Sequence, residues 1–203
     1  MVLEVGTGTG ALTSLLTTGA GHVVTVEIDG HLHQLASEEL ESATNLTMLH
    51  QDALKSKNRI HPNVLETLEK ALDSIPDSRF KLAANLPYNI ATTLLIQWLG
   101  KADEFESMTL MFQREVAERI TAQPGSSAYG RLSILTGWIA DTAILFDIPP
   151  DAFVPAPKVT SSVVQIRPLA QPRHPCDRGA LEEVTRLAFG QRRIAGRRSF
   201  RRG

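Results

Sequence analysis

Along this chain, short runs of β-branched and other apolar residues alternate with longer stretches whose apolar residues recur at helical spacing. The short runs, at 2–5, 23–26, 46–49, 82–84 and 108–111, predict buried strands. Helical spacing fills residues 11–16, 31–40, 63–72 and 90–99. Strand and helix in repeated alternation predict an α/β fold, a mostly parallel sheet with helices on both faces. Leu132, Leu135 and Ile139 suggest another helix. Residues 142–148 and 162–166, joined by a proline-rich loop, read as an antiparallel hairpin closing the sheet. The stretch 168–176 reads as a linker, and a last helix is expected from about Arg178. The chain thus divides into an α/β domain, 1–168, and a linker with a basic helix, 169–203.

With 203 residues, 42% hydrophobic and 21% charged, the chain can bury a proper core, which argues against disorder. No apolar run approaches the roughly 18–20 residues a bilayer span needs, so no membrane partner is expected. The N-terminus shows no basic region followed by an apolar stretch and cleavage site. A single cysteine, Cys176, suits neither an internal disulfide nor a multi-cysteine metal site. A cytoplasmic protein without a metal is the expectation. The net charge of −1 conceals an asymmetry: seven arginines and no acids lie from Arg186 onward, against 14 basic and 22 acidic residues before it. The tail is a candidate polyanion contact.

Chemistry begins at once. Residues 2–5 form a strand, and Gly6-Thr7-Gly8-Thr9-Gly10 is a glycine turn opening a helix, the arrangement that lets backbone approach a nucleotide-type cofactor. Glu27 ends the second strand, where an acid typically accepts hydrogen bonds from ribose hydroxyls. Gly6, Gly8 and Ala11 also satisfy the dinucleotide fingerprint, so a nicotinamide cofactor stays open at this point. Glu4 tilts the balance, because an acid inside the first strand suits an ammonium group, or the amides of the glycine loop, better than a pyrophosphate. Asp52, after the third strand, could accept a bond from an adenine amine, although a lone Asp there more often caps a helix.

The most specific motif is Asn85-Leu86-Pro87-Tyr88, after the fourth strand and before a helix. The Asn85 amide oxygen and the Leu86 carbonyl can both accept hydrogen bonds from one exocyclic amine, with Pro87 stiffening the turn. Tyr88 offers a face on which a flipped base can stack.

Glu4-x-Gly6-x-Gly8-x-Gly10, Asn85-Leu86-Pro87-Tyr88, Tyr129-Gly130-Arg131-Leu132-Ser133 and Phe153-x-Pro155-x-Pro157-Lys158-Val159 follow in this order. Together they resemble the ribosomal RNA adenine N6,N6-dimethyltransferase family, over nearly the whole chain from Val2 to about Arg197. The resemblance implies a Rossmann-like class I methyltransferase fold with a seven-stranded sheet, then the start of a small helical C-terminal domain that helps engage rRNA. It implies S-adenosylmethionine as cofactor and methyl transfer to the N6 amines of two adjacent adenines near the 3′ end of small-subunit rRNA. The partner would be a pre-ribosomal small subunit, met by a monomer during ribosome biogenesis.

Carried over by position, Glu4, Gly6 and Gly8 would line the methionine and ribose part of the cofactor, and Glu27 would hold the ribose. Ile28 would pack on the cofactor adenine, with Asp52 and Ala53 at its amino edge and Asn85 beside the transferred group. Asn85, Leu86, Pro87 and Tyr88 would hold the target adenine, and Phe153 would complete the stacking clamp. Lys158, Arg131, Arg192, Arg193 and Arg197 would meet RNA phosphates. The family carries a Gln-x-Phe-Leu type segment ahead of the first strand, whereas this chain starts with the strand under way, so a shortened or misassigned start is expected. Residues 55–78 read as an enlarged insertion.

Three rival readings exist. The erythromycin-resistance methyltransferases of large-subunit rRNA share the fold and motif, but the Phe153 and Tyr129 motifs fit the small-subunit enzymes better. A non-catalytic nucleic-acid-binding relative of the transcription factor B type would not need Asn85 to Tyr88 intact. A nicotinamide-dependent oxidoreductase leaves that motif unexplained.

Overall fold

The computed structural model describes residues 1–56, 59–75, 80–86, 88–101 and 104–190. Its elements, in chain order, begin with β1 (Val2–Val5), α1 (Ala11–Gly19), β2 (Val23–Glu27), α2 (Gly30–Glu39) and β3 (Leu46–His50). There follow β4 (Leu54–Ser56), β5 (Arg59–Ile60), α3 (Pro62–Asp73), β6 (Lys81–Ala84), α4 (Tyr88–Leu99) and β7 (Ser107–Gln113). The chain continues through α5 (Arg114–Thr121), α6 (Arg131–Ile139), β8 (Ala140–Ile148), β9 (Ser161–Pro168) and α7 (Arg178–Gly190).

A seven-stranded sheet runs in the order β3-β2-β1-β6-β7-β9-β8, parallel except for β9, which is antiparallel to both neighbours. Every residue of β2 is buried, which is why that strand reads as an unbroken β-branched run rather than an alternation. Helices are started by local chemistry. Asp29 accepts hydrogen bonds from the amides of His31 and Leu32, and Pro62 opens α3 at a position where a missing N–H is harmless. Helix α4 fills the centre of the core with Leu94, Leu95 and Trp98, and Phe105 stacks on Phe80 while meeting Trp98 edge-on.

From β1 the chain runs outward through β2 to β3, then returns to lay β6 on the other side of β1. At that reversal the connections after β1 and β6 diverge, and a crevice opens beyond their carboxyl ends. The glycine turn follows β1 and Asn85 follows β6, so topology brings them together.

The structure differs from the pattern reading in three places. Helix α5 carries only Val116, Ala117 and Ile120 as a thin apolar stripe among charges paired at i, i+4 (Arg114 with Glu118, Arg119 with Glu115), too weak a pattern to announce itself. The segment 55–78 contains part of the small β4–β5 ribbon and the whole of α3, with residues 57–58 and 76–78 outside the description. Strand β9 continues to Pro168, so the expected linker loses its first residue to the sheet edge, where Pro168 faces Ala140. No helix among the described residues is long and apolar enough to cross a membrane.

Candidate active site

Gly6, Gly8 and Gly10 all take positive φ, at 83°, 57° and 88°. Only glycine does so without strain, and the turn folds back so that the Gly6 amide donates to the Val26 carbonyl at 2.8 Å. Two acids beneath it divide the work. Glu27 Oε2 accepts from the Gly8 amide at 2.8 Å, while its Oε1 accepts from the amides of Ile28 and Asp29, each at 2.9 Å. Glu4 does not touch the loop amides. Its Oε2 accepts from the Thr13 hydroxyl at 2.6 Å and the Thr25 hydroxyl at 2.8 Å. Because Thr25 gives its one hydrogen to Glu4, Thr7 must be the donor in the 2.6 Å pair between the Thr7 and Thr25 hydroxyls.

Glu4 is fully buried, and its Oε1 has no hydrogen-bond partner among the described residues. Burial holds its carboxyl above the ordinary carboxylate range. The two threonine hydroxyls pull it back down, and the nearby Glu27 carboxylate adds to the rise.

A cavity of about 560 Å³ opens over these acids. It gathers every residue the sequence assigned to the cofactor: Glu4, Gly6, Gly8, Glu27, Ile28, Asp52, Ala53 and Asn85. Ile28, 64% exposed, offers an apolar wall, and Asp52 turns one oxygen to the Leu54 amide at 2.8 Å. An unpaired buried carboxylate oxygen is costly, and a cation entering the cavity would relieve it. Three acids at such a site suit a ligand carrying an ammonium and a sulfonium, and do not suit a pyrophosphate. The donor set therefore fits S-adenosylmethionine.

A second, smaller cavity of about 260 Å³ is lined by Asn85, Leu86, Tyr88, Met111, Phe153, Pro155 and Pro157. Asn85 belongs to both cavities. Pro87 lies outside the described residues, as do Arg192, Arg193 and Arg197. Lys158 is exposed on the loop of Phe153, with no acidic partner among the described residues. Arg131 lines neither cavity. It begins α6, and its Nε is buried without a hydrogen-bond partner among the described residues.

The family model for ribosomal RNA adenine dimethylase matches residues 1–201. The chain belongs to the ribosomal RNA adenine dimethylase family. A ribosomal RNA small subunit methyltransferase A of Xanthobacter autotrophicus is 47% identical over 98% of this chain, which spans 66% of that relative's length. Among solved structures, a dimethyladenosine transferase from Plasmodium falciparum superimposes with a TM-score of 0.68 at 30% identity, over 83% of this chain and 55% of the other. The 23S rRNA methyltransferase ErmE superimposes with a TM-score of 0.70 at 26% identity, over 94% of this chain and 70% of the other.

Within this adenine dimethylase fold, some residues that line the cavities, or support a residue that does, carry no sequence signal of their own. Thr13 and Thr25, which hold Glu4, look like ordinary helix and strand positions. Ile90 and Val154 join the first cavity and Met111 the second. Val154, fully exposed and next to Phe153, could have been suspected from the proline-rich loop alone.

Proposed function

We propose that this chain transfers methyl groups from S-adenosylmethionine to the N6 amines of two adjacent adenines near the 3′ end of small-subunit rRNA. The observation that carries the reading is Asn85, the one residue among those described that is shared by a cavity suited to the cofactor and a cavity walled by aromatic and proline side chains. The substrate would be met in a pre-ribosomal small subunit, by a monomer in the cytoplasm.

When bound, S-adenosylmethionine supplies an electrophilic methyl group on a positively charged sulfur. Glu4 would balance the positive charge of the ligand, and the glycine turn and Glu27 would hold its ribose. Tyr88 and Phe153 would grip the target adenine, whose N6 amine would donate to the Asn85 amide oxygen and the Leu86 carbonyl. Those two acceptors orient the nitrogen lone pair and stabilise the positive charge that develops on the amine. Among the described residues neither carboxylate nor histidine lines the second cavity, so the released proton would pass to water. Catalysis then rests on positioning rather than on a strong base.

The small-subunit assignment is favoured over the large-subunit one by the 47% identity to the Xanthobacter relative against 26% to ErmE. An intact Asn85-Leu86 pair in the second cavity favours an enzyme over a binding-only relative. The test is labelled methyl transfer from S-adenosylmethionine to undermethylated small ribosomal subunits, with nucleoside analysis of the digested RNA. Labelled N6,N6-dimethyladenosine is expected. Label in large-subunit RNA alone, or none, would overturn the reading.

A further inference from the structure

Ser161 has no part in the chemistry above, yet its hydroxyl lies 2.5 Å from the hydroxyl of Tyr88. It is fully buried as the first residue of β9, registered against Gln113 of β7 on one side and Ile148 of β8 on the other. Its backbone is therefore pinned from both flanks. Tyr88 opens α4 and lines the second cavity together with Phe153, Pro155 and Pro157. The loop bearing those three residues runs directly into Ser161. One hydrogen bond, spanning 73 positions of sequence, thus ties the start of the helix after the Asn85-Leu86 turn to the foot of the loop that helps wall the second cavity.

Stacking on a base needs only the ring face, which phenylalanine would supply equally well. What the hydroxyl adds is a fixed point at the far end of the ring. We propose that Ser161 is a positioning residue for the target base, setting the plane of the Tyr88 ring through the Tyr88 hydroxyl. This rests on the proposed methyl transfer. After one transfer and loss of a proton the amine carries a methyl group and one hydrogen, and it must present its restored lone pair in a tighter space while the base stays in plane. A loosened ring reduces the reactive poses in both rounds, and more in the second, where fewer fit.

The experiment compares wild type, Ser161→Ala, Tyr88→Phe and the double variant on undermethylated small subunits. Either single change removes the same bond. Each should lower kcat about tenfold, leave KM for RNA and cofactor affinity within about twofold, and raise the share of N6-methyladenosine over the dimethylated product. The double variant should be no worse than the poorer single variant, the signature of a shared interaction. Wild-type rate and product ratio in Ser161→Ala, losses that add in the double variant, or a loss tracking cofactor affinity and thermal midpoint would each overturn the positioning role.

A readout independent of turnover separates this failure from failure of the proposed activity. Ring-proton NMR signals of Tyr88 should shift and broaden in Ser161→Ala, and an unchanged ring spectrum overturns the inference even if the wild-type chain transfers nothing.

Discussion

Thr13 donates its hydroxyl hydrogen to Glu4 across 2.6 Å, joining the first turn of α1 to the middle of β1. Thr25 donates to the same carboxylate oxygen from β2. Two strands and a helix thus converge on one side of a buried acid and leave its other oxygen for whatever enters the cavity.

That arrangement predicts opposite effects of Glu4→Gln with and without cofactor. In the ordinary carboxylate range and below it, Glu4 stays protonated in the fold and burial carries no charge penalty. As pH rises past that range the unfolded chain ionises first, so the unliganded fold loses stability until Glu4 itself ionises. Glu4→Gln should therefore flatten the pH dependence of the unliganded thermal midpoint above the ordinary carboxylate range and raise the midpoint at neutral pH. Cofactor affinity should fall by about 10- to 100-fold, the size expected for losing a charged hydrogen bond. Melting curves across pH, with and without S-adenosylmethionine, check both halves.

Glu27→Ala removes an acceptor from three amides, those of Gly8, Ile28 and Asp29. The turn then loses its side-chain tie to β2 and keeps only the backbone bond from Gly6 to Val26, and binding of S-adenosylhomocysteine should weaken at least tenfold, with about 1.5–3 kcal/mol of lost free energy. Calorimetric titration measures it, and an unchanged affinity would remove Glu27 from the cofactor site.

Asn85→Ala should abolish measurable transfer, a loss of about two to three orders of magnitude for one misplaced dipole at the reacting centre. Cofactor affinity should stay within about threefold, because Asn85 is one of many residues lining the first cavity. Equal losses in turnover and cofactor binding would contradict its assignment to the target amine.

RNA contacts are read from salt. Lys158→Ala should reduce the slope of log affinity against log salt by about 0.7–0.9 for one lost phosphate contact. Replacing Arg192, Arg193 and Arg197 with glutamine should reduce it by up to about three times as much. A slope that does not move would return these side chains to the solvated surface. Arg131→Gln tests the remaining proposed phosphate contact in the same way and should lower the slope by the amount of one contact.

The strands were legible in the sequence because helices cover both faces of the sheet, which forces continuous β-branched runs such as that of β2. The glycine turn was legible because its backbone geometry demands glycine, and the place of Asn85 was legible because it follows a strand beside β1; its part in holding an amine is the proposal. Which acid held the turn was not legible. Glu4 and Glu27 both end up near it, and only the facing of β1 toward α1 decides that Glu4 meets Thr13 while Glu27 meets Gly8. Helix α5 was hidden by its charges, and Ser161 by the distance in sequence between it and Tyr88.

Strand β9 runs against every other strand of the large sheet, and it pairs Ser161 with Gln113 at the edge where β7 ends. The link from β8 to β9 therefore emerges directly over the crevice, without an intervening long helix. A loop placed this way can be lengthened, shortened or recoloured while the sheet beneath keeps its pairing. On the proposed reading, Phe153 to Lys158 is accordingly the stretch where substrate choice can be rewritten without refolding the protein. Exchanging it between relatives would move selectivity for the RNA and leave the cofactor cavity largely as it stands, apart from the single wall residue Val154.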